Sequence, residues 1–204
     1  MGDTQRVLHN HLRGTPMTTY PPPDVPYRGP AAHAGELDNK PVRRIVLHST
    51  VSPCVPGGAE AVARYFRSPQ AGGSAHYVVD PATTVQVVYD SRTAYHAPPN
   101  QHSLGIEMCD MPSATSSARW RDTAHQAMLD RVARLTAELC LAYGVPVRYR
   151  NARGLRRGEH GITTHHEVSM AFGQSTHWDP GKWPRRRFMR LVRSHVHRMR
   201  KEAK

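Results

Sequence analysis

Cysteine is scarce. The 204 residues hold three, Cys54, Cys109 and Cys140, with no C-x-x-C spacing among them, which excludes a disulfide framework and a cysteine zinc ribbon. They are expected to be mostly buried thiols, with a bridge from Cys54 to Cys109 or Cys140 left open. Long apolar runs are missing too. The longest strand-like run is Val85 to Tyr89, far below the roughly 18–20 residues of a membrane span, so an integral membrane protein is excluded. The first thirty residues, with His9, His11 and Pro21-Pro22-Pro23, contain no apolar h-region and therefore no readable secretory signal. Action outside a membrane would need another route of export.

Acidic residues are outnumbered, 16 against 28 Lys plus Arg, for a net charge of +12. The imbalance is local: Lys182 to Lys204 carries ten basic residues and a single acid, Glu202. Such an end attracts nucleic acid, an anionic membrane or an anionic cell-wall polymer, and charge alone does not choose among them. A solvated helix face is the plain alternative. Nothing in the chain resembles a helix-turn-helix, a zinc finger or an aromatic RNA-binding platform, so no specific nucleic-acid partner is expected.

What is present suits one globular domain with an appendage. Residues 1–38 hold six of the 17 prolines and few aliphatics, which reads as an extended or disordered N-terminal arm, and the domain is placed at 39–204. Within it, Val42–His48 reads as a strand, Ala59–Arg67 as a helix, and Ser74–Asp80 with Thr84–Tyr89 as a hairpin. Leu104–Cys109 and Gly161–Val168 supply two more strands. The clearest helix runs from Thr123 to Tyr143, with Asp122 as N-cap and Gly144 as its stop. A final helix starts at Pro184, with Phe188, Leu191, Val192, His195 and Met199 on one face and the arginines opposite. The order predicts an α/β domain with a mixed central sheet flanked by helices.

Fourteen histidines are many for this length, and the question is which converge. His9, His11, His33, His195 and His197 lie in the arm or on the terminal helix, where solvent or packing roles are expected. His48 ends a buried strand, where an α/β sheet presents side chains to a crevice. His165 follows another apolar segment, and Asp179 lies in the turn sequence Thr-His-Trp-Asp-Pro-Gly. Two imidazoles and a carboxylate from separate segments make a three-ligand zinc site with an open fourth position, the catalytic arrangement. Spacing alone leaves a set of unrelated histidines open, because no H-E-x-x-H motif is present.

Five segments in order then resemble a known family: Arg44-Ile-Val-Leu-His48-Ser-Thr, Ser74-Ala-His-Tyr-Val-Val-Asp80, Ala94-Tyr-His-Ala97, Asn100 through Ser103-Leu-Gly-Ile-Glu-Met108, and Ile162-Thr-Thr-His165 leading to His177-Trp-Asp-Pro-Gly181. They resemble the zinc-dependent N-acetylmuramoyl-L-alanine amidases, which share a fold with peptidoglycan recognition proteins and phage lysozyme-amidases. The resemblance covers roughly Asn39 to Phe188. It implies one Zn2+ held by His48, His165 and Asp179, with Glu107 as general base and then acid beside it. It places His177 where many relatives carry an oxyanion-stabilising lysine, and His76 and His96 in the cleft, as substrate contacts or as packing groups. Histidine titrates near neutrality and lysine does not, so rate is expected to depend more on neutral pH than in those relatives.

Two departures matter. Some phage relatives have a catalytic tyrosine before the second segment's histidine, where this chain has Ala75, so the glutamate route is favoured. His166 competes with His165 as ligand, and on a strand only one of the two would face the metal. The implied activity is cleavage of peptidoglycan between N-acetylmuramic acid and L-alanine. A non-catalytic recognition module of the same fold is the alternative; such relatives typically lose the third ligand. Resemblance to phage members implies a monomeric endolysin, held in the host cytoplasm until a holin opens the membrane. The basic terminal helix is then expected to meet anionic wall polymers or the membrane surface.

Overall fold

A computed structural model describes residues 20–38 and 40–204. Its centre is a five-stranded sheet built from β2 (Arg44–Ser49), β3 (Tyr77–Val79), β4 (Thr84–Gln86), β6 (Ser103–Met108) and β7 (Gly161–Thr164), in the order β4-β3-β6-β2-β7. Strands β3, β6, β2 and β7 run parallel, and β4 closes one edge antiparallel to β3. The mixed sheet expected from the sequence is therefore present. A separate two-stranded ribbon pairs β1 (Ala34–Leu37) with β5 (Arg92–Ala94). Neither ribbon strand carries a readable apolar alternation; only Ala94, fully buried, and Ala34 reach the core.

Residues 1–19 of the N-terminal arm lie outside the described residues, as do His9 and His11. From Tyr20 the chain is extended and packed on the body. Tyr27 bridges to Gln86 on the open edge of β4 and stacks on Tyr89 with ring centres 4.2 Å apart. Arg28 pairs with Glu60 at 2.8 Å. An exposed sheet edge is thus covered by the chain's own strap.

Helices fill both faces. Helix α1 (Gly58–Phe66) follows β2 and α2 (Thr123–Tyr143) follows β6. The short α3 (Ala152–Arg156) precedes β7, α4 (His165–Phe172) continues it, and α5 (Arg185–Glu202) ends the fold. The Asp122 side chain accepts from the His125 N–H and Gly144 adopts φ 66°, so both ends of α2 stop where the sequence signals them. Its buried residues Met128, Leu129, Val132, Leu135 and Leu139 cover the sheet, and α5 packs behind it through Phe188, Val192 and Val196. His195 faces inward there, bonded to Asp130 at 2.9 Å.

Alternation along β2 divides the two sides of the sheet. Ile45 and Leu47 enter the large core, while Val46 joins a small second cluster with Ala97, Leu155 and Val168. By the two-residue period of a strand, His48 lies on the Val46 side. All three thiols are free; burial raises the Cys54, Cys109 and Cys140 pKa values to about 12, so they are neutral packing groups.

Candidate active site

Register brings the site together. In the parallel ladders His48 pairs with Glu107 of β6, and Leu47 with Thr164 of β7, so the next residue, His165, stands level with His48. Neighbouring strands lie about 4.8 Å apart. Glu107, His48 and His165 therefore form one row across the carboxyl ends of three parallel strands, the location where open α/β sheets place ligands.

The structure corrects the reading of Gly161–Val168 as continuous strand. The strand ends at Thr164 and helix α4 starts at His165, with the Thr164 side chain accepting from the Glu167 N–H. Thr164-His-His-Glu167 is a capping-box signature that the apolar pattern around it obscured. His165 is buried at 5% exposure, whereas His166 turns outward and donates its backbone N–H to the Asp179 carbonyl. His165 is selected over His166 by a helix start rather than by strand alternation.

Asp179 is delivered by the loop between α4 and α5. Its Oδ1 lies 3.2 Å from His165 Nδ1, and its Oδ2 lies 3.5 Å from His48 Nδ1 and accepts from the Ser49 N–H at 3.2 Å. His48 Nδ1 and His165 Nδ1 are 3.1 Å apart. One donor atom from each of the three residues lies within 4.8 Å of the others, with two of the residues buried and the third nearly so. Burial works to raise the Asp179 pKa, but the His165 and His48 rings against it outweigh that and hold the carboxyl well below the usual range. Burial lowers the His48 pKa more than Asp179 raises it, which keeps that ring neutral.

The hydrogen-bond network assigns the His48 tautomer. The Asn100 carbonyl can only accept, so Ser103 Oγ–H donates to it at 2.6 Å. Ser103 Oγ then accepts from His96 Nε2–H at 3.1 Å, and His96 Nδ1 accepts from His48 Nε2–H at 3.0 Å. His48 Nδ1 is left with a lone pair aimed at His165 and Asp179. On the other ring, His165 Nε2 meets Ser175 Oγ at 3.3 Å, which in turn meets Ser169 Oγ at 2.5 Å. The His48 lone pair, His165 Nδ1 and an ionised carboxylate thus converge, a set suited to a divalent zinc ion and to its preferred nitrogen and oxygen ligands.

His96 is therefore placed behind His48, at 8% exposure, rather than against a substrate. Its ring covers Gly105, where a Cβ would lie 2.7 Å from His96 Cγ. His76 corrects the expectation more fully. It has no exposed surface, accepts from the Gly105 N–H at 3.0 Å and donates to the Arg92 carbonyl at 3.0 Å, so it ties β6 to β5 and touches no ligand. Burial keeps both rings neutral, lowering the His96 pKa most.

His177 is exposed. Its ring stacks on His165, centres 4.4 Å apart and planes within 16°, with Nδ1 3.9 Å from Asp179 Oδ1. Glu107 has one oxygen, Oε2, that is buried without a partner. Burial, and then the charge of Asp179, push its pKa well above the ordinary carboxylate range. A carboxyl with a buried, unpartnered oxygen and a raised pKa thus stands beside a candidate metal centre.

A further network that the sequence reading missed holds the Asp179 loop. Asp110, fully buried, accepts from Arg119 at 2.6 and 2.8 Å, from Ser49 Oγ at 2.9 Å and pairs with His125 at 3.2 Å. Arg119 also donates to the Pro180 and Lys182 carbonyls. Asp110 lies just past β6, and a buried acid next to a strand end was the available signal.

Comparison with known proteins agrees with this geometry. A 33% identical stretch of 86 residues, 37% of this chain, matches the N-acetylmuramoyl-L-alanine amidase XlyA of Bacillus subtilis. The chain spans less than a third of the length of the curated relatives it matches. In fold it is similar to the Staphylococcus aureus hydrolase AmiA, with a TM-score of 0.65 at 17% identity over 86% of this chain and 84% of that one. A mutant endolysin from Bacillus subtilis superposes with a TM-score of 0.54 at 17% identity, over 83% of this chain and 98% of that one. The N-acetylmuramoyl-L-alanine amidase family model matches residues 38–182, a span that takes in the three converging donor residues and Glu107, and the chain belongs to that family.

Proposed function

We propose that this chain hydrolyses the amide between N-acetylmuramic acid and the L-alanine of the peptidoglycan stem peptide. One observation carries the reading: a proton-accepting carboxyl, Glu107, stands in register with His48 beside the converging His48, His165 and Asp179 donors. These three residues would hold the Zn2+. When bound, the ion supplies Lewis acidity that activates water and polarises the scissile carbonyl. Glu107 takes the proton from the attacking water and returns it to the departing nitrogen, work for which its raised pKa fits. His177, exposed beside Asp179, donates a hydrogen bond to the oxygen that gains charge in the transition state.

A recognition module that binds the wall without cutting it is the rival. Asp179 and Glu107 favour hydrolysis, because binding alone requires neither a third ligand nor a buried carboxyl with an unpartnered oxygen. The likeness to an endolysin supports a bacteriolytic role; in that role the protein would be made in a phage host's cytoplasm and reach the wall after holin-mediated release. Among the described residues no helix is long and apolar enough to cross a membrane. A monomer suffices, since every proposed site residue comes from one chain.

The test is digestion of purified peptidoglycan, with and without prior chelation, followed by mass spectrometry. Free stem peptides beginning with L-alanine, lost on chelation and restored by Zn2+, support the amidase. Wall binding without such peptides rejects it in favour of the recognition module.

A further inference from the structure

Helix α5 carries a pattern that neither the metal site nor the core uses. Arg186, Arg190, Arg193, His197 and Arg200 follow one another at four, three, four and three residues, so they form a single stripe. At 1.5 Å per residue it runs about 21 Å. The stripe is not a flat face. Its first part lines a cleft of about 870 Å³ that also includes Lys182, Tyr149 and Trp178. Its second part, with Arg148 and Val147 opposite, lines another of about 680 Å³. Arg190 of the first cleft and Arg193 of the second are one turn apart on α5, and Tyr149 and Arg148 opposite them are adjacent, so the two clefts adjoin along one furrow between α5 and the 147–149 segment.

The furrow is electrostatically unsatisfied. Lys182, Arg186, Arg190, Arg193, Arg200 and Arg148 are all exposed, and none has a side-chain ion pair among the described residues. The one carboxylate lining it, Glu167, accepts from the Tyr149 hydroxyl and the Ala152 N–H. Six cations lining one furrow repel one another unless an anion lies among them.

We propose that this furrow binds a linear, phosphodiester-linked polymer of the bacterial wall alongside the catalytic cleft. The choice of a wall polymer rests on the amidase reading above, and the shape narrows it. A bilayer surface takes a helix through its apolar face, and here that face is buried on α2 through Phe188, Val192 and Val196. Single-stranded nucleic acid takes a run of aromatic stacking platforms; here the aromatics are confined to the first part, where Arg185 lies over Tyr149 and Trp183 packs on Phe188, and no Trp, Tyr or Phe lines the part from Arg193 to Arg200. A narrow cationic trough suits a thread with one charge per repeat. Trp178 and Pro180, the neighbours of Asp179, line the end of the furrow, so a bound polymer would pass close to the scissile bond.

The test titrates the full chain with poly(glycerol phosphate) of defined length at several salt concentrations, against Arg190→Gln/Arg193→Gln/Arg200→Gln. Each phosphate contact contributes about 0.7 to the slope of log affinity against log salt, by analogy with single strands. Losing three contacts should lower the slope by about 2 and weaken binding at least tenfold at low salt. The matching Arg→Lys triple variant, which conserves charge, should keep most of both. Unchanged binding by the Gln variant overturns the proposal. So does equal or tighter binding of the wild type to single-stranded DNA of the same length, or to phosphatidylglycerol vesicles. Cleavage of a short soluble muramoyl-peptide is measured in parallel: its absence in the wild type rejects the amidase reading, while the polymer titration still decides the furrow.

Discussion

Replacing His96 by alanine removes the acceptor of His48 Nε2–H without touching a metal ligand. In the native chain the 3.0 Å bond from His48 to His96 and the 3.1 Å bond from His96 to Ser103 pass a fixed proton arrangement from the Asn100 carbonyl to His48. Without His96, His48 can place its proton on Nδ1, the atom that must carry the lone pair. Loss of such an outer partner typically costs 10- to 100-fold in metal affinity, about 1.4–2.7 kcal/mol at 1.36 kcal/mol per decade. Zn2+ affinity measured by competition with a chromophoric chelator should fall by that amount, independently of turnover. His96→Asn, whose side-chain oxygen can stand in for Nδ1 as acceptor, should recover part of the loss. Ser103→Ala removes one neutral hydrogen bond further out, about 1 kcal/mol, and should cost roughly fivefold. A His96→Ala protein that binds Zn2+ within threefold of wild type would refute the relay.

Glu107→Gln should abolish hydrolysis by about 10²–10⁴-fold and yet stabilise the metal-free fold. The Glu107 pKa is raised by burial, so above the unfolded value the native state holds a proton that the unfolded chain has released, and stability falls as pH rises. The expected gain is about 1–2 kcal/mol at pH 7, a Tm increase of roughly 2–8 °C, vanishing below pH 4; an equal gain at both pH values would remove burial as its cause. Asp110→Ala leaves Arg119 and His125 without their buried partner and should cost about 3–5 kcal/mol by chemical denaturation; a loss under 1 kcal/mol contradicts a structural role. His177→Lys should flatten the dependence of rate on pH between 6 and 8, because lysine stays charged throughout; an unchanged profile sets His177 aside as the oxyanion donor.

The local pattern of residues determined most of the elements and named the three donors that the fold brings together. Helix α2 is legible from its apolar spacing, its Asp122 cap and its Gly144 stop, since these act within a few residues of chain. His48, His165, Asp179 and Glu107 were readable because each lies in a short segment whose order resembles a family. The strand-to-helix switch at Thr164 was written in Thr-x-x-Glu but masked by apolar neighbours that fit either structure. Other features have no local signature. Which way His76 and His96 face depends on Gly105 and Ser103 of a different strand, and the two histidines go to separate partners for that reason. The bonds that tie Asp110 to Ser49 and Arg119 to Pro180, the strap on β4 and the cationic furrow join residues from distant parts of the chain. Side-chain type and spacing set what each segment can form; parallel register and packing of α5 decide which groups meet, because those distances are fixed only when the whole sheet closes.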